Sequence, residues 1–346
     1  SPWNYPLNLS LLPLIGSIAA GNVSILKPSE WAPSTSELME WMLQEIYPED
    51  YVATIQGDAE ISQQLLQFPF DKIFFTGSTA IGKEILQSTA SYLPDVTLEL
   101  GGKCPAIFDE KAAGNRTAIK RLLWGKTINA GQTCVAPDWV FVPESSVDNF
   151  FSICGDVLKE FFPDGKDMDS MARIVSIRHF DRLTQLLEGA NIRIGGKTDR
   201  MTQSMGISLL HPVSNDSNLM NEEIFGPVLP VLTYQNETEL LKHPALKTHP
   251  LAVYIFSEND RFFNQVKRNC LSGAVMRNEV VLHLTHHGLP FGGVRGSGVG
   301  RYHGESSFEC FSFLRPVEEK KLCFDLPHRY FPYRSKISSL LRYFMS

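Results

Sequence analysis

The sequence predicts an α/β protein built mainly on parallel strands. Three observations carry that reading. Strand-like and helix-like runs alternate along the chain. In the first hundred residues the connections between them are short, which sets successive strands parallel with helices on both faces. The chain has 346 residues and 43% hydrophobic composition, enough for a large core and, by length alone, about two domains.

The elements follow in order. LSLLPLIGSIAAG reads as a core helix that stops near Gly21 and Asn22. A signal-peptide core is the alternative. It fails because no basic residue precedes the run (Lys27 is the first), Pro13 interrupts it, and it is too short to span a bilayer. VSIL at 23–26 is a buried strand. Ser34 and Glu37 form a capping box for a helix carrying Leu38, Trp41, Met42 and Ile46 on one face. YVATI at 51–55 is a second strand, and Asp58 caps a short helix with Ile61 and Leu65. KIFFT at 72–76 is a third strand, followed by GSTAIG and a helix with Ile81, Ile85 and Leu86 inward. Longer helices are expected at 114–129, 145–162, 177–188 and 259–270. Strands are expected at WVFV, IRI, VLPVLTY, LAVYIF and GAVM. The closing stretch 327–346 holds Arg329, Arg334, Lys336 and Arg342 and no acidic residue. Ile337, Leu340, Leu341 and Phe344 would form an apolar stripe on a short helix.

Charge and cysteine usage exclude some function classes. A net charge of −6 gives no sign of a nucleic-acid partner. The six cysteines are scattered without a C-x-x-C pair, which argues for reduced thiols, a cytosol-facing location and no disulfide framework. His283, His286 and His287 cluster, but no cysteine or further carboxylate joins them at ligand spacing, so no metal is expected.

The chemistry concentrates in two segments. In NAGQTCVAPD, Cys134 sits among small and polar residues that make a poor core and a good turn; a buried structural cysteine is the alternative. In VTLELGG, alternation puts Val96, Leu98 and Leu100 on one face and Thr97 and Glu99 on the other. Glu99 is then a general base or a solvated strand position. GSTAIGKE nearly spells a phosphate loop, but Glu84 stands where Ser or Thr should hold magnesium, and G-x-G-x-x-G is absent. A helix N-terminus that can meet a pyrophosphate remains, with a plain βα turn as the alternative. LKPSE places Lys27 and Glu30 at a strand end, where they can bind ribose hydroxyls or merely pair with each other. Glu223 and Phe225 in EEIFGP, and Phe291 in PFGGVRGSG, can be site residues or ordinary loop and core positions.

The order of these segments is more specific than any one of them. PWNYPL, LKPSE, FFTGSTAIGK, LELGGK, NAGQTC, EEIFGP and PFGGVRGSGVGRYHG together resemble the aldehyde dehydrogenase superfamily, from residue 1 to about 333. WGKTINAGQTCVAPD, GVGRYHG and RYFPY resemble its class 3 and fatty aldehyde branch. The resemblance implies a Rossmann-like open parallel sheet forming a cofactor domain (1–99), a second α/β catalytic domain (100–314) and a C-terminal oligomerisation or tail segment (315–346). It implies Cys134 as nucleophile, Asn4 as oxyanion donor together with the Cys134 backbone N–H, and Glu99 as the base that activates water. Lys27, Glu30, Gly77, Ser78, Gly82, Leu100, Glu223 and Phe225 would hold NAD or NADP, and Glu30 favours NAD by repelling a 2′-phosphate. Tyr5, His287 and Phe291 would line the substrate pocket.

The implied activity is NAD(P)-dependent oxidation of aromatic or medium- to long-chain aldehydes to acids, in a homodimer. The basic tail offers peripheral contact with the cytosolic face of a membrane, or docking on protein. Relatives carry a further stretch before PWNYP, whose absence would expose apolar surface and remove part of the cofactor domain. Two rival readings stand beside this one: transfer of the acyl group to coenzyme A, and a non-catalytic binding module.

Overall fold

The computed structural model describes residues 1–214, 217–323, 325, 329–332 and 343. The chain divides into two units, Ser1–Ser312 and Phe313–Ser346. In the second, Asp325 pairs with Lys320 and Arg329, each at 3.7 Å. The proposed tail helix, with Ile337, Leu340, Leu341 and Phe344, lies outside the described residues. Among the described residues, no helix is long and apolar enough to cross a membrane, and no cluster of His, Cys, Asp or Glu can hold a metal ion.

The first hundred residues run α1 (Pro6–Ala19), β1 (Ser24–Leu26), α2 (Pro33–Ile46), β2 (Val52–Thr54), α3 (Ala59–Leu65), β3 (Lys72–Gly77), α4 (Thr79–Thr89) and β4 (Asp95–Leu100). Helix α1 ends where glycine is needed: Gly21 has φ +82°, and the Gly21 and Asn22 N–H groups close the last turn on Ile18 and Ser17. Asp58 and Ser78 cap α3 and α4 through their side-chain oxygens. The strands are parallel as expected, but they form two sheets rather than one. β1 pairs with β2, and β3 pairs with β4.

Two buried faces differ from expectation. Helix α2 starts earlier than the capping-box reading placed it, with Pro33 in its first turn and no side-chain cap. It buries Ser36, Met39 and Leu43 against Leu14, Leu26 and Val52, whereas Leu38, Trp41 and Ile46 are 54%, 61% and 60% exposed. On α4 the inward residues are Gly82, Ile85 and Thr89, and Ile81 and Leu86 face outward. In each helix two stripes have helical spacing, and the one with smaller side chains fits the close approach to the strand beneath.

Next come β5 (Pro105–Phe108), α5 (Glu110–Ala113), α6 (Arg116–Thr127), β6 (Trp139–Pro143), α7 (Val147–Phe161), α8 (Asp167–Ser170), α9 (Ile177–Leu187), β7 (Ile192–Ile194), β8 (Thr198–Asp199), β9 (Ser204–Met205) and β10 (Ser208–Leu210). They are followed by α10 (Asn218–Asn221), β11 (Val228–Tyr234), α11 (Glu237–Lys242), β12 (Ala252–Phe256), α12 (Asp260–Asn269), β13 (Ala274–Arg277), β14 (Gly298–Val299) and α13 (Glu305–Cys310). A seven-stranded sheet has the order β13-β12-β5-β6-β11-β10-β7, parallel except for β7.

Alternation along its strands separates two cores. Ala106, Phe108, Val140, Val142, Tyr254 and Phe256 face one side, with Leu122 and Leu123 of α6 and Phe150 and Val157 of α7. Ile107, Phe141, Val253 and Ile255 face the other, with Phe262 and Val266 of α12. β14 returns to the smaller sheet, pairing antiparallel with Leu98 and Glu99.

The chain passes from the end of β4 to the start of β5 through Gly101–Cys104 alone. That short passage brings the C-terminal edge of the small sheet to the N-terminal edge of the large one. The candidate site forms at this junction.

Candidate active site

Cys134 lies in the loop between α6 and β6, and its turn has an unusual backbone. Asn129, Ala130 and Gly131 have φ of +48°, +51° and +71°. A Cβ on Gly131 would collide with the Gly226 carbonyl, so only glycine fits there. Gln132 pins the turn from inside. Its amide donates to the Asn129 and Arg173 carbonyls, each at 3.0 Å, and accepts from the Val175 N–H at 3.0 Å. The Tyr254 hydroxyl donates to the Val135 carbonyl from below. Asn129, Gln132 and Thr133, recognised in the sequence as turn residues, thus hold Cys134 half-buried against the main core.

The start of the chain closes over this turn. Asn4 Nδ2 donates to the Gln132 carbonyl at 3.1 Å, and Asn129 Nδ2 donates to the Asn4 carbonyl at 3.0 Å. The Tyr5 hydroxyl is 2.8 Å from Thr133 Oγ1. Asn4 and Tyr5 therefore reach the Cys134 turn across more than a hundred residues of sequence. A carboxamide has two N–H donors, so the Gln132 bond leaves one in hand.

Glu99 sits on β4, opposite Thr76 on β3 in register. It is 2% exposed, and neither of its carboxylate oxygens has a hydrogen-bond partner among the described residues; the same holds for Thr76 Oγ1. The solvated alternative for Glu99 is thereby excluded: Thr97, Leu98, Glu99 and Leu100 are all buried. Burial pushes the Glu99 carboxyl well above the usual carboxylate range, with Arg301 opposing. Burial also raises the Cys134 thiol, and the Glu223 and Glu99 carboxylates add to this. The backbone N–H groups of Cys134 and Val135 favour the thiolate. The resting thiol is thus protonated, and a nearby base must take its proton.

The remaining predicted residues lie at several separate positions. Gly77 ends β3, Ser78 caps α4 with its Oγ, and Gly82 packs against the buried Leu100 side chain. Lys27 and Glu30 follow β1 and pair at 3.0 Å. The Glu223 carboxylate lies over the backbone of Gly101, which a Cβ there would strike, and accepts from the Gly102 N–H. Burial and Asp138 push Glu223 up to about 8. Phe225, at φ +51°, meets Trp3 edge-on at 5.5 Å. Phe291 is 5% exposed in the core against which Cys134 packs, its ring stacked on His303 at 5.3 Å. His287 lines a surface cleft with Pro290, His303, Glu305 and Glu309.

Sequence reasoning missed a buried charged cluster beside these groups. Lys103, Asp138 and Lys126 are 6%, 3% and 0% exposed. The first two lie inside motifs already singled out, LELGGK and NAGQTCVAPD. The available signal was a charged residue beside a strand whose next positions are all apolar.

Comparison with known proteins identifies the family. The profile of the aldehyde dehydrogenase family matches residues 1–317. Aldehyde dehydrogenase family 3 member A2 of Rattus norvegicus is 42% identical over 92% of this chain and 66% of its own length. The 4,4'-diaponeurosporen-aldehyde dehydrogenase of Staphylococcus aureus is 40% identical over 99% of this chain and 75% of its own. The chain thus spans only about two thirds to three quarters of these relatives. Among solved structures, a substrate-bound Staphylococcus aureus AldH superposes with a TM-score of 0.93 at 39% identity, covering 99% of this chain and 76% of that one. With its match across the profile and its α/β architecture, this chain belongs to the aldehyde dehydrogenase family, on the family 3 side of it.

Proposed function

We propose that the protein oxidises aldehydes to carboxylic acids with NAD or NADP, through a covalent intermediate on Cys134. The observation that carries this reading is the junction itself. A half-buried thiol, an amide with a spare donor and a buried carboxyl with no hydrogen-bond partner among the described residues converge there.

Each residue's part follows from its surroundings. The Cys134 sulfur attacks the aldehyde carbonyl carbon as its proton leaves to a nearby base. The Asn4 amide and the Cys134 N–H hold the oxygen that becomes anionic. Glu99 takes a proton from water, whose oxygen attacks the thioester carbon; the acid departs and the sulfur leaves as thiolate. Tyr5 and Phe291 bound the substrate side, with His287 nearer the surface.

The strand ends fit a dinucleotide. Lys27 with Glu30 would meet a ribose, Gly77 and Ser78 at the start of α4 a pyrophosphate, Gly82 and Leu100 would shape the floor, and Glu223 with Phe225 would face the second ribose. The Thr76 hydroxyl and Glu99 carboxyl, on neighbouring strand ends and without hydrogen-bond partners among the described residues, are polar groups that fit the nicotinamide end. When bound, the nicotinamide would supply the acceptor for the hydride lost from the substrate carbon attached to Cys134, and that loss leaves the thioester. Solved relatives from Mycobacterium tuberculosis and Staphylococcus aureus carry NAD+.

The test is production of reduced cofactor from hexanal, hexadecanal and benzaldehyde, each with NAD and NADP, with Cys134→Ala as control. Turnover that disappears in the control is expected. Acyl-CoA formation on adding coenzyme A would replace water as acceptor. Failure to bind cofactor or to form a Cys134 thioester would leave a binding module.

A further inference from the structure

Three adjacent strands of the large sheet, β5, β6 and β11, begin at the site. Just before each start lies a member of one buried network. Lys103 Nζ donates to the Asp138 carboxylate and, at 2.6 Å, to the Glu222 carbonyl. Asp138 Oδ1 accepts from the Ile224 N–H at 3.1 Å, and the Asp138 N–H donates to the Cys104 carbonyl at 2.8 Å. The Lys103 ammonium also sits 4.7 Å over the Trp139 ring, and the Trp139 indole N–H donates to the Leu219 carbonyl at 3.2 Å. Arg182 of α9 completes the clamp on the loop before β11, donating to the Glu223 and Ile224 carbonyls at 3.3 and 2.6 Å.

The spacing gives this network its consequence. Lys103 is four residues after Glu99, and Asp138 is four residues after Cys134. Their ion pair also grips the backbone on both sides of Glu223. We infer that the Lys103–Asp138 pair is a positioning element, which fixes Glu99, Cys134 and Glu223 relative to one another by joining the segments that carry them. The inference rests on the proposed thiol chemistry.

A purely structural pair would be costly here, because burying two charges recovers little beyond what apolar residues would supply. Reach and direction are what an apolar pair lacks. Lys103 bridges a carboxylate and a carbonyl on different segments, and Asp138 has both oxygens engaged. Lys126 Nζ lies 3.9 Å from Asp138 with no hydrogen-bond partner of its own among the described residues. Burial lowers this lysine to about 8, with Asp138 opposing. Because Lys126 still faces Asp138 when Lys103 is replaced, removing Lys103 does not orphan the carboxylate.

That arrangement makes the test practicable. Lys103→Met and Asp138→Asn would be compared with the unaltered chain at a temperature where all are folded by circular dichroism. The asparagine variant keeps an acceptor for the Ile224 N–H and serves if the methionine variant does not fold. Two readouts are taken. The first is kcat and KM; the second is the rate at which iodoacetamide alkylates Cys134, located by peptide mass mapping. Loss of positioning predicts a fall in kcat of about a hundredfold, as a displacement of about 1 Å produces, with KM little changed. It also predicts that alkylation accelerates on the order of tenfold, because the loosened turn opens.

Lower thermal midpoints with both rates unchanged in the folded protein would overturn the inference. If the unaltered chain shows no turnover with any aldehyde, the proposed function fails, and the alkylation comparison alone decides about the pair.

Discussion

The buried Glu99 carboxyl makes a prediction that joins stability to catalysis. Replacing it by its amide, Glu99→Gln, preserves shape and removes the ionisation. In the folded chain this carboxyl is held well above its ordinary value of 4.5, chiefly by burial. It stays protonated while the unfolded chain releases its proton. Stability contributed by the protonated form is therefore complete below about 4.5 and declines as pH rises toward the folded value. Each pH unit in that window is worth about 1.4 kcal/mol. The glutamine variant has no such loss. Urea unfolding at pH 5.5 and 7.5 should show the variant gaining on the parent as pH rises. In the same samples, turnover should fall about a hundredfold to ten-thousandfold, the usual loss on removing a general base. Parent turnover should rise with pH on the alkaline side, as Glu99 gives up its proton. A stability difference independent of pH would mean that Glu99 is ionised in the fold. Undiminished turnover would move the base elsewhere.

Other substitutions probe the remaining parts. Asn4→Ala should lower kcat about a hundredfold to a thousandfold while Cys134 remains open to alkylation, and the lost Gln132 bond should cost about 1 kcal/mol in urea unfolding. Gly131→Ala forces a side chain into the Gly226 carbonyl at φ +71°, so unfolding should show a loss of about 2 kcal/mol or more together with turnover. Glu30→Gln should improve kcat/KM for NADP relative to NAD by about fivefold to tenfold, as about 1 kcal/mol of relieved repulsion gives; an unchanged ratio in steady-state assays would remove Glu30 from the 2′ end of the ribose. Trp41→Ser should leave the unfolding free energy within about 0.5 kcal/mol and reduce light scattering at high concentration, since the indole is 61% exposed.

What the sequence disclosed was local. Asp58 was readable as a cap because capping is settled within a few residues. Five strands of the large sheet were readable as apolar runs, whereas the short β5 and β10 were not among those expected. Which face of α2 is buried was not readable. Residues 38, 41, 42 and 46 and residues 36, 39 and 43 both have helical spacing, and the choice depends on Leu14, Leu26 and Val52 arriving from other elements. The burial of Glu99 has the same origin. Alternation assigned it to the side opposite Leu98 and Leu100, and β14 comes back from about two hundred residues later to cover that edge.

The candidate site shows where such reasoning has to change in kind. Cys134, Asn4 and Glu99 are separated by long stretches of chain, and no periodicity relates them. Ordered motifs could place them together only through the family likeness; the physical reason is the passage from β4 to β5. With Gly101–Cys104 as its whole length, that connection cannot let the two sheets part, and it carries Lys103 in its middle. Glycine at 101 gives the Glu223 carboxylate its resting place, and lysine at 103 reaches Asp138 beyond the thiol. The GGK stretch that follows Glu99 is therefore also a hinge pin between the base and the nucleophile. Lengthening it by one glycine after Gly102 would shift Glu99 against Cys134 by up to about 3.5 Å without removing any side chain of the site. Turnover should then collapse even if cofactor titration shows unchanged binding, and retained turnover would show that the junction does not set the geometry.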